Sequence, residues 1–322
     1  MSTALICGIT GQDGAYLAKF LLEKGYKIWG TSRDVQIANL HKLRDLKILK
    51  IVSLVSMAPS DIRSVLGVMK HCQPDEIYYL AGQSSVGLSF EQPGETIESN
   101  TIGVLNILES VRYFEKPVKV YHASSSECFG DIGNTVATEE TAFRPCSPYG
   151  IAKAAAHWLV VNYRDAYGLY ACNGILFNHE SPLRPERFVT RKVTNTAVHI
   201  SMGSEERLML GCLDIVRDWG WAPEYVEAMW RMLQQKKAGD YIVATGESHS
   251  LEEFVEEAFD FVGLDWKDHV DINPELFRPN ELKWSRGNPG KAEAVLGWKS
   301  RYQMHDVIRM LEFSLLDQLK NN

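Results

Sequence analysis

Gly8-Ile9-Thr10-Gly11-Gln12-Asp13-Gly14 is the stretch on which the fold turns. It follows a short apolar run at residues 4–7 and leads into residues 14–24, where Leu17, Phe20 and Leu21 recur at helical spacing up to Gly25. A strand, a glycine-rich turn and a helix in that order let bare backbone approach a pyrophosphate, with the helix N-terminus supplying N–H groups and a dipole. A glycine trio alone is also simply a tight turn; its place between strand and helix is what points to a dinucleotide.

Outward from the loop the same alternation continues. Residues 26–29 read as a second strand, 76–81 and 118–123 as later ones, and 102–113 and 149–167 as helices. The expectation is an α/β fold, a Rossmann-type doubly wound parallel sheet with a smaller, interleaved C-terminal substrate-binding lobe. Beyond about residue 178 the chain turns irregular and Arg/Pro-containing, as in Ser181-Pro182-Leu183-Arg184-Pro185 and Phe277-Arg278-Pro279-Asn280-Glu281. Residues 214–232 look helical at their end and return to the first lobe. The division expected is 1–177 with about 212–235 for the dinucleotide, and 178–211 with 236–322 for the second ligand.

Composition sets the bounds. The chain has 322 residues, 45% hydrophobic and 23% charged, an ordinary globular balance. No run of about 18 uncharged apolar residues occurs and no basic leader opens the sequence, so a cytoplasmic protein with no membrane partner is expected. A net charge of -7 without a basic cluster excludes nucleic acid as a natural partner. Six scattered cysteines without CxxC or zinc spacing read as reduced thiols, with no metal.

Cofactor type should follow from the end of the second strand, where a carboxylate binds a ribose 2'-hydroxyl and an arginine a 2'-phosphate. Thr31-Ser32-Arg33 favours NADP; Asp34, next in sequence, can neutralise Arg33 or accept the ribose hydroxyl itself.

Tyr149 and Lys153 stand four apart at a helix start and so share one face. A nearby ammonium and an oxidised nicotinamide ring both favour the phenolate, letting Tyr149 take a hydroxyl proton as the adjacent carbon gives up hydride. Ser124-Ser125-Ser126-Glu127 follows the strand at 118–123, at the carboxyl edge where open parallel sheets place ligands. If the strand conformation persists, Ser125 and Glu127 face the same way. A hydroxyl there holds a substrate oxygen; a carboxylate can take a proton from carbon, which plain alcohol oxidation does not need. The bland reading of Glu127 is an exposed residue at a strand end.

On these residues the chain resembles the GDP-mannose 4,6-dehydratases, extended short-chain dehydrogenase/reductases, along nearly its whole length. The likeness is carried by residues 8–18, by Ser147-Pro148-Tyr149-Gly150 with Lys153, and by Gly174-Ile175-Leu176-Phe177-Asn178-His179-Glu180-Ser181-Pro182. Phe188-Val189-Thr190-Arg191-Lys192, Arg217-Asp218-Trp219-Gly220 and Tyr225-Val226-Glu227-Ala228-Met229-Trp230 add to it.

The resemblance implies an internal redox cycle on a GDP-sugar. Hydride leaves C4 for bound NADP while Tyr149 takes the hydroxyl proton, Glu127 removes the C5 proton, water departs from C6, and hydride returns there. Ser125 stands where the family usually has threonine. By the same match Gly8, Thr10, Gly11, Gln12, Asp13, Gly14 and Arg33 hold the cofactor. Leu80, Ala81, Gln83, Ser84, Tyr149, Lys153, His179 and Arg184 join them. Ser84, Ser125, Ser126, Glu127, Asn178, Val189 and Lys192 fall to the GDP-sugar, with Gly211, Arg217, Arg278 and Glu281. Read without the family, His179 is a satisfied core histidine and Arg217 a surface partner for the neighbours of Asp218.

The chain also departs from the family pattern. After Arg33 it lacks the second arginine and serine-rich stretch that serve the tetramer contact and the cofactor grip, which leaves a homo-oligomer, dimer or tetramer. Ser56-Met57, Cys146, Pro185 and Cys212 replace family residues, several expected at the sugar pocket, so GDP-manno-heptose stands beside GDP-mannose as substrate. The rivals are an NADPH-dependent GDP-4-keto-6-deoxy-sugar reductase or epimerase of the same fold, and a non-catalytic NADP-binding regulator. Glu127 speaks against the reductase, and the full set of Ser125, Glu127, Tyr149 and Lys153 against the regulator.

Overall fold

Strand β1 (Thr3–Cys7) is an interior strand of the large sheet and is buried along its last four residues, which is why it reads as a continuous apolar run instead of an alternating one. A computed structural model describes residues 1–114, 116–277 and 279–320. In it β1 pairs in parallel with β2 (Lys27–Ser32) on one side and β4 (Glu76–Tyr79) on the other. With β3 (Ser53–Ser56), β5 (Lys119–Ser125) and β6 (Ala171–Leu176) they form a parallel sheet covered on both faces by helices. The chain winds outward from β1 through β2 to β3, then crosses to β4 and winds the other way. The crevice between the carboxyl ends of β1 and β4 is therefore the topological switch point, the place where this architecture takes ligands.

Helix α1 (Gln12–Glu23) starts at Gly11, which offers no side-chain cap, so the first-turn N–H groups open into that crevice. It stops where Gly25 takes φ +81°. Helix α2 (His41–Asp45) follows β2, α3 (Ile62–Cys72) follows β3, α4 (Gly103–Arg112) precedes β5, and α5 (Pro148–Tyr167) precedes β6. Ser147 caps α5 by accepting from the Gly150 N–H at 3.0 Å.

The second lobe has its own core, in which Trp219, Phe254 and Phe259 are buried. Short two-stranded sheets tie it together. One of them pairs β7 (Asn178–Glu180) in parallel with β8 (Trp219–Trp221). Helix α6 (Ala222–Leu233) packs back on α1, with two short strands ahead of it. The large sheet and the second core also cross the expected division: β9 (Asp240–Val243), expected in the second lobe, is the seventh strand of the large sheet, paired with β6, while Trp219, expected in the first, lies in the second core. The four residues of β9 are too short a run to reveal their partner.

Candidate active site

At the loop, Gly8 takes φ +87°, and a Cβ there would sit 3.0 Å from the Ala81 backbone; a side chain on Gly14 would lie 2.3 Å from the Gly8 carbonyl oxygen. Glycine is thus required for the loop to close on the carboxyl end of β4. A cleft of about 670 Å³ runs from this loop across the ends of the strands to Arg217 and Glu281. Gly8, Gly11, Gln12, Asp13 and Gly14 line it, with Leu80, Gln83 and Ser84 opposite. Thr10 and Ala81 stand beside the lining without joining it.

The glycine loop is clipped to the second lobe. Gln12 Nε2 donates to the His179 carbonyl at 3.2 Å and to Asp13 Oδ1 at 3.0 Å, while Ser181 Oγ donates to Gln12 Oε1 at 2.7 Å. His179 Nε2 meets Asp13 Oδ2 at 2.9 Å, its Nδ1 lies 2.7 Å from the Phe177 carbonyl, and the ring stacks on Tyr225. Burial pushes the Asp13 carboxyl up, but the charge and hydrogen bond of His179 outweigh it and hold it at about 2. Burial pulls the other way on His179, and Asp13 again prevails, raising it above its ordinary value. His179 therefore lines the cleft with both ring nitrogens already engaged.

The reaction centre is built differently. Lys153 Nζ donates to the Ala123 carbonyl at 2.9 Å, at the end of β5, and lies 5.7 Å from the centre of the Tyr149 ring. Burial pushes the Tyr149 phenol up, against a hydrogen bond from Ser125, and pulls Lys153 down to about 8. The protein alone thus favours the protonated Tyr149, and the expected phenolate depends on the oxidised nicotinamide ring as well as on the ammonium. Ser125 and Glu127 both line the cleft, but not by strand alternation: β5 ends at Ser125, and a 3₁₀ turn (Ser126–Cys128) follows. The Glu127 N–H donates to Ser125 Oγ at 3.2 Å, and that turn brings Glu127 to the cleft beside Ser126.

At the far end Asn178, Val189, Lys192, Gly211, Arg217 and Glu281 line the cleft. Arg217 is buried rather than on the surface. Its guanidinium reaches Glu281 at 3.2 Å and the Val216 carbonyl at 2.9 Å, so two of the expected ligand contacts hold each other. Lys192 Nζ donates to the Met209 carbonyl at 2.6 Å. Arg278 lies outside the described residues. Of the departures from the family pattern, Pro185 and Cys212 border the cleft, whereas Ser56, Met57 and Cys146 do not.

Arg33 is not brought to the cleft; it pairs with Glu95 at 3.1 Å with 82% of its side chain exposed. Asp34 is turned to its own loop, where Oδ1 accepts from the Gln36 N–H at 2.9 Å. Sequence reasoning passed over Lys42 and Arg187, which line the cleft near Asp13 and Arg184. Neither lies in a recognisable motif, and only the fold puts them there. All six cysteines are free thiols. Among the described residues no cluster of three metal-ligating side chains occurs, and no helix is long and apolar enough to cross a membrane.

The sequence profile of the GDP-mannose 4,6 dehydratase family matches residues 5–311. GDP-mannose 4,6 dehydratase 1 of Arabidopsis thaliana is 46% identical over 96% of this chain and 88% of its own length. The GDP-mannose 4,6-dehydratase of Sinorhizobium fredii (strain HH103) is 43% identical over 94% and 93%. Among solved structures, dTDP-glucose 4,6-dehydratase from Bacillus anthracis str. Ames, in complex with NAD, superposes with a TM-score of 0.85 at 20% identity, covering 100% of this chain and 97% of the other.

Proposed function

The chain belongs to the GDP-mannose 4,6-dehydratase family, and from that premise we propose that it removes water from GDP-mannose to give the 4-keto-6-deoxy sugar. The observation that carries this reading is the convergence of Glu127 with Ser125, Tyr149 and Lys153 in one cleft. An enzyme that only oxidised or reduced the sugar would have no use for a carboxylate at that point, and a binding module would need none of the four.

The glycine cradle and the open first turn of α1 fit the pyrophosphate of a nicotinamide dinucleotide. NADP is the form we infer. The end of β2 offers Thr31, Ser32 and Arg33, Asp34 is engaged within its own loop, and the exposed Arg33–Glu95 pair is of a kind worth only about 0–1 kcal/mol, easily exchanged for a phosphate. When bound, the nicotinamide supplies reversible hydride exchange, so that what is taken from C4 is restored at C6 and none is consumed.

The rest falls to the chain's own residues. Ser125 orients the C4 oxygen, and Tyr149 accepts the proton of its hydroxyl, with Lys153 supplying the nearby positive charge that lowers the cost of a phenolate. The new C4 carbonyl acidifies C5–H. Glu127 takes that proton and passes it to the departing C6 hydroxyl, which leaves as water. Arg217 turns from Glu281 toward the GDP diphosphate, with Lys192 and Asn178 beside it. A cytoplasmic homo-oligomer is the setting proposed.

Incubation with GDP-mannose and, in parallel, GDP-manno-heptose, followed by mass spectrometry, tests the reading. Loss of one water without net change in NADPH absorbance is expected for GDP-mannose. Intact substrate in both tubes with cofactor bound would defeat it.

A further inference from the structure

Lys42 has no motif around it and no counterpart in the chemistry derived so far. It sits in the short helix α2, 8% exposed, and lines the cleft on the side of the glycine loop. Its ammonium forms no hydrogen bond and no ion pair among the described residues, although a cation buried to this degree is ordinarily paired.

Its surroundings are cationic. Arg184 and Arg187 face the same part of the cleft and flank the Phe188 ring, their guanidinium carbons 3.8 Å and 5.2 Å from its centre. The acid that acts on Lys42, Asp13, is already engaged, and so is Glu180 beside Arg184. Asp13 is held by His179 and Gln12, and Glu180 accepts from Thr190 at 2.7 Å and lies 3.4 Å from Arg184 Nε. Burial lowers the Lys42 pKa below its ordinary value, Arg184 and Arg187 add to that, and Asp13 opposes it without cancelling it, so the ammonium lacks the counter-charge that a bound anion would bring. Beside this surplus of positive charge open the first-turn N–H groups of α1, which lack a side-chain cap.

We propose that Lys42, together with Arg184 and Arg187, binds the diphosphate bridge of the dinucleotide, so that the main electrostatic grip on the cofactor comes from α2 and the 184–188 loop and not from Arg33. A diphosphate brings two negative charges to a place that otherwise has three cations and two committed carboxylates. It also explains why a lysine is tolerated in a helix of five residues whose neighbour Leu43 is wholly buried.

This rests on the nicotinamide reading given above, and the test separates the two. Dissociation constants of the purified protein are measured calorimetrically for NADP+, NAD+ and GDP, in wild type, Lys42→Met, Lys42→Arg and Arg187→Gln. Lys42→Met should weaken NADP+ and NAD+ alike, by roughly ten- to a hundredfold, and leave GDP within about twofold. Lys42→Arg should keep most of the affinity, and Arg187→Gln, more exposed, should lose only severalfold. The ligand-free melting temperature of Lys42→Met should be no lower than that of wild type, because no partner is stranded. Unchanged binding overturns the proposal. So does a loss confined to NADP+, which would mean a 2'-phosphate site, a loss transferred to GDP, or a drop in ligand-free stability, which would make Lys42 structural. Failure of the wild type itself to bind either dinucleotide would instead remove the cofactor reading beneath it.

Discussion

Two polar clusters line one cleft, and they are built on opposite terms. The Gln12–Asp13–His179–Ser181 clip satisfies its members: donors meet acceptors at 2.7–3.2 Å, and each ionisable group is shifted toward its charged form by the other. The Tyr149–Lys153–Glu127 centre does the reverse, since burial pushes its phenol up and its ammonium down, away from charge. The clip is stable because it is complete. The other cluster holds a phenol and an ammonium that burial shifts away from their charged forms, as groups poised for proton transfer often are.

The contrast can be broken at several points. Glu127→Gln should keep cofactor affinity, since the residue has no part in that grip, while dehydration falls by about 10³-fold; water loss at an undiminished rate, read by mass spectrometry, would contradict its role as the C5 base. Lys153→Met should lower turnover by about 10²-fold yet leave the melting temperature at or above wild type, as removal of a buried, pKa-depressed ammonium relieves more than the one bond to Ala123 holds. A clear loss of stability would place Lys153 with the clip instead.

Asp13→Asn should cost about 2 kcal/mol in chemical denaturation at pH 7. The sign follows from its depressed pKa. Wild type holds this increment above the ordinary carboxylate value of 3.8 and loses it as pH falls toward about 2, so the gap between wild type and variant should close over that window. His179, raised by the same contact, should lose its share as pH climbs through its elevated pKa. Identical acid limbs in the two proteins would show the pair to be idle. The smallest effect is expected for Arg33→Ala, within about 0.5 kcal/mol in stability and with NAD+ affinity unchanged, because its exposed pairing with Glu95 contributes little.

What could be read in advance follows the range of the interactions. The glycine loop, the α1 spacing and the Tyr149–Lys153 step are local periodicities, and the structure has them in place within a few residues. Glu127 was identified by chemistry but expected on the wrong geometry, because nothing in Ser125-Ser126-Glu127 announces a 3₁₀ turn. The partners of Arg217 and Arg33, Glu281 and Glu95, are set by tertiary approach across 64 and 62 residues, and no spacing rule reaches that far. Lys42 stayed hidden for the same reason. A lone lysine on a short helix is ordinarily solvated, and only packing buries it.

The clip also fixes an order of events in the making of the protein. Its three long-range bonds join residues 166, 167 and 169 positions apart. At about 5–20 residues per second, Gln12 and Asp13 leave the ribosome roughly 10–30 s before His179 and Ser181 do. For that interval the nascent chain carries a glycine loop without its clasp, and the nucleotide-binding pocket is finished last by a segment made much later.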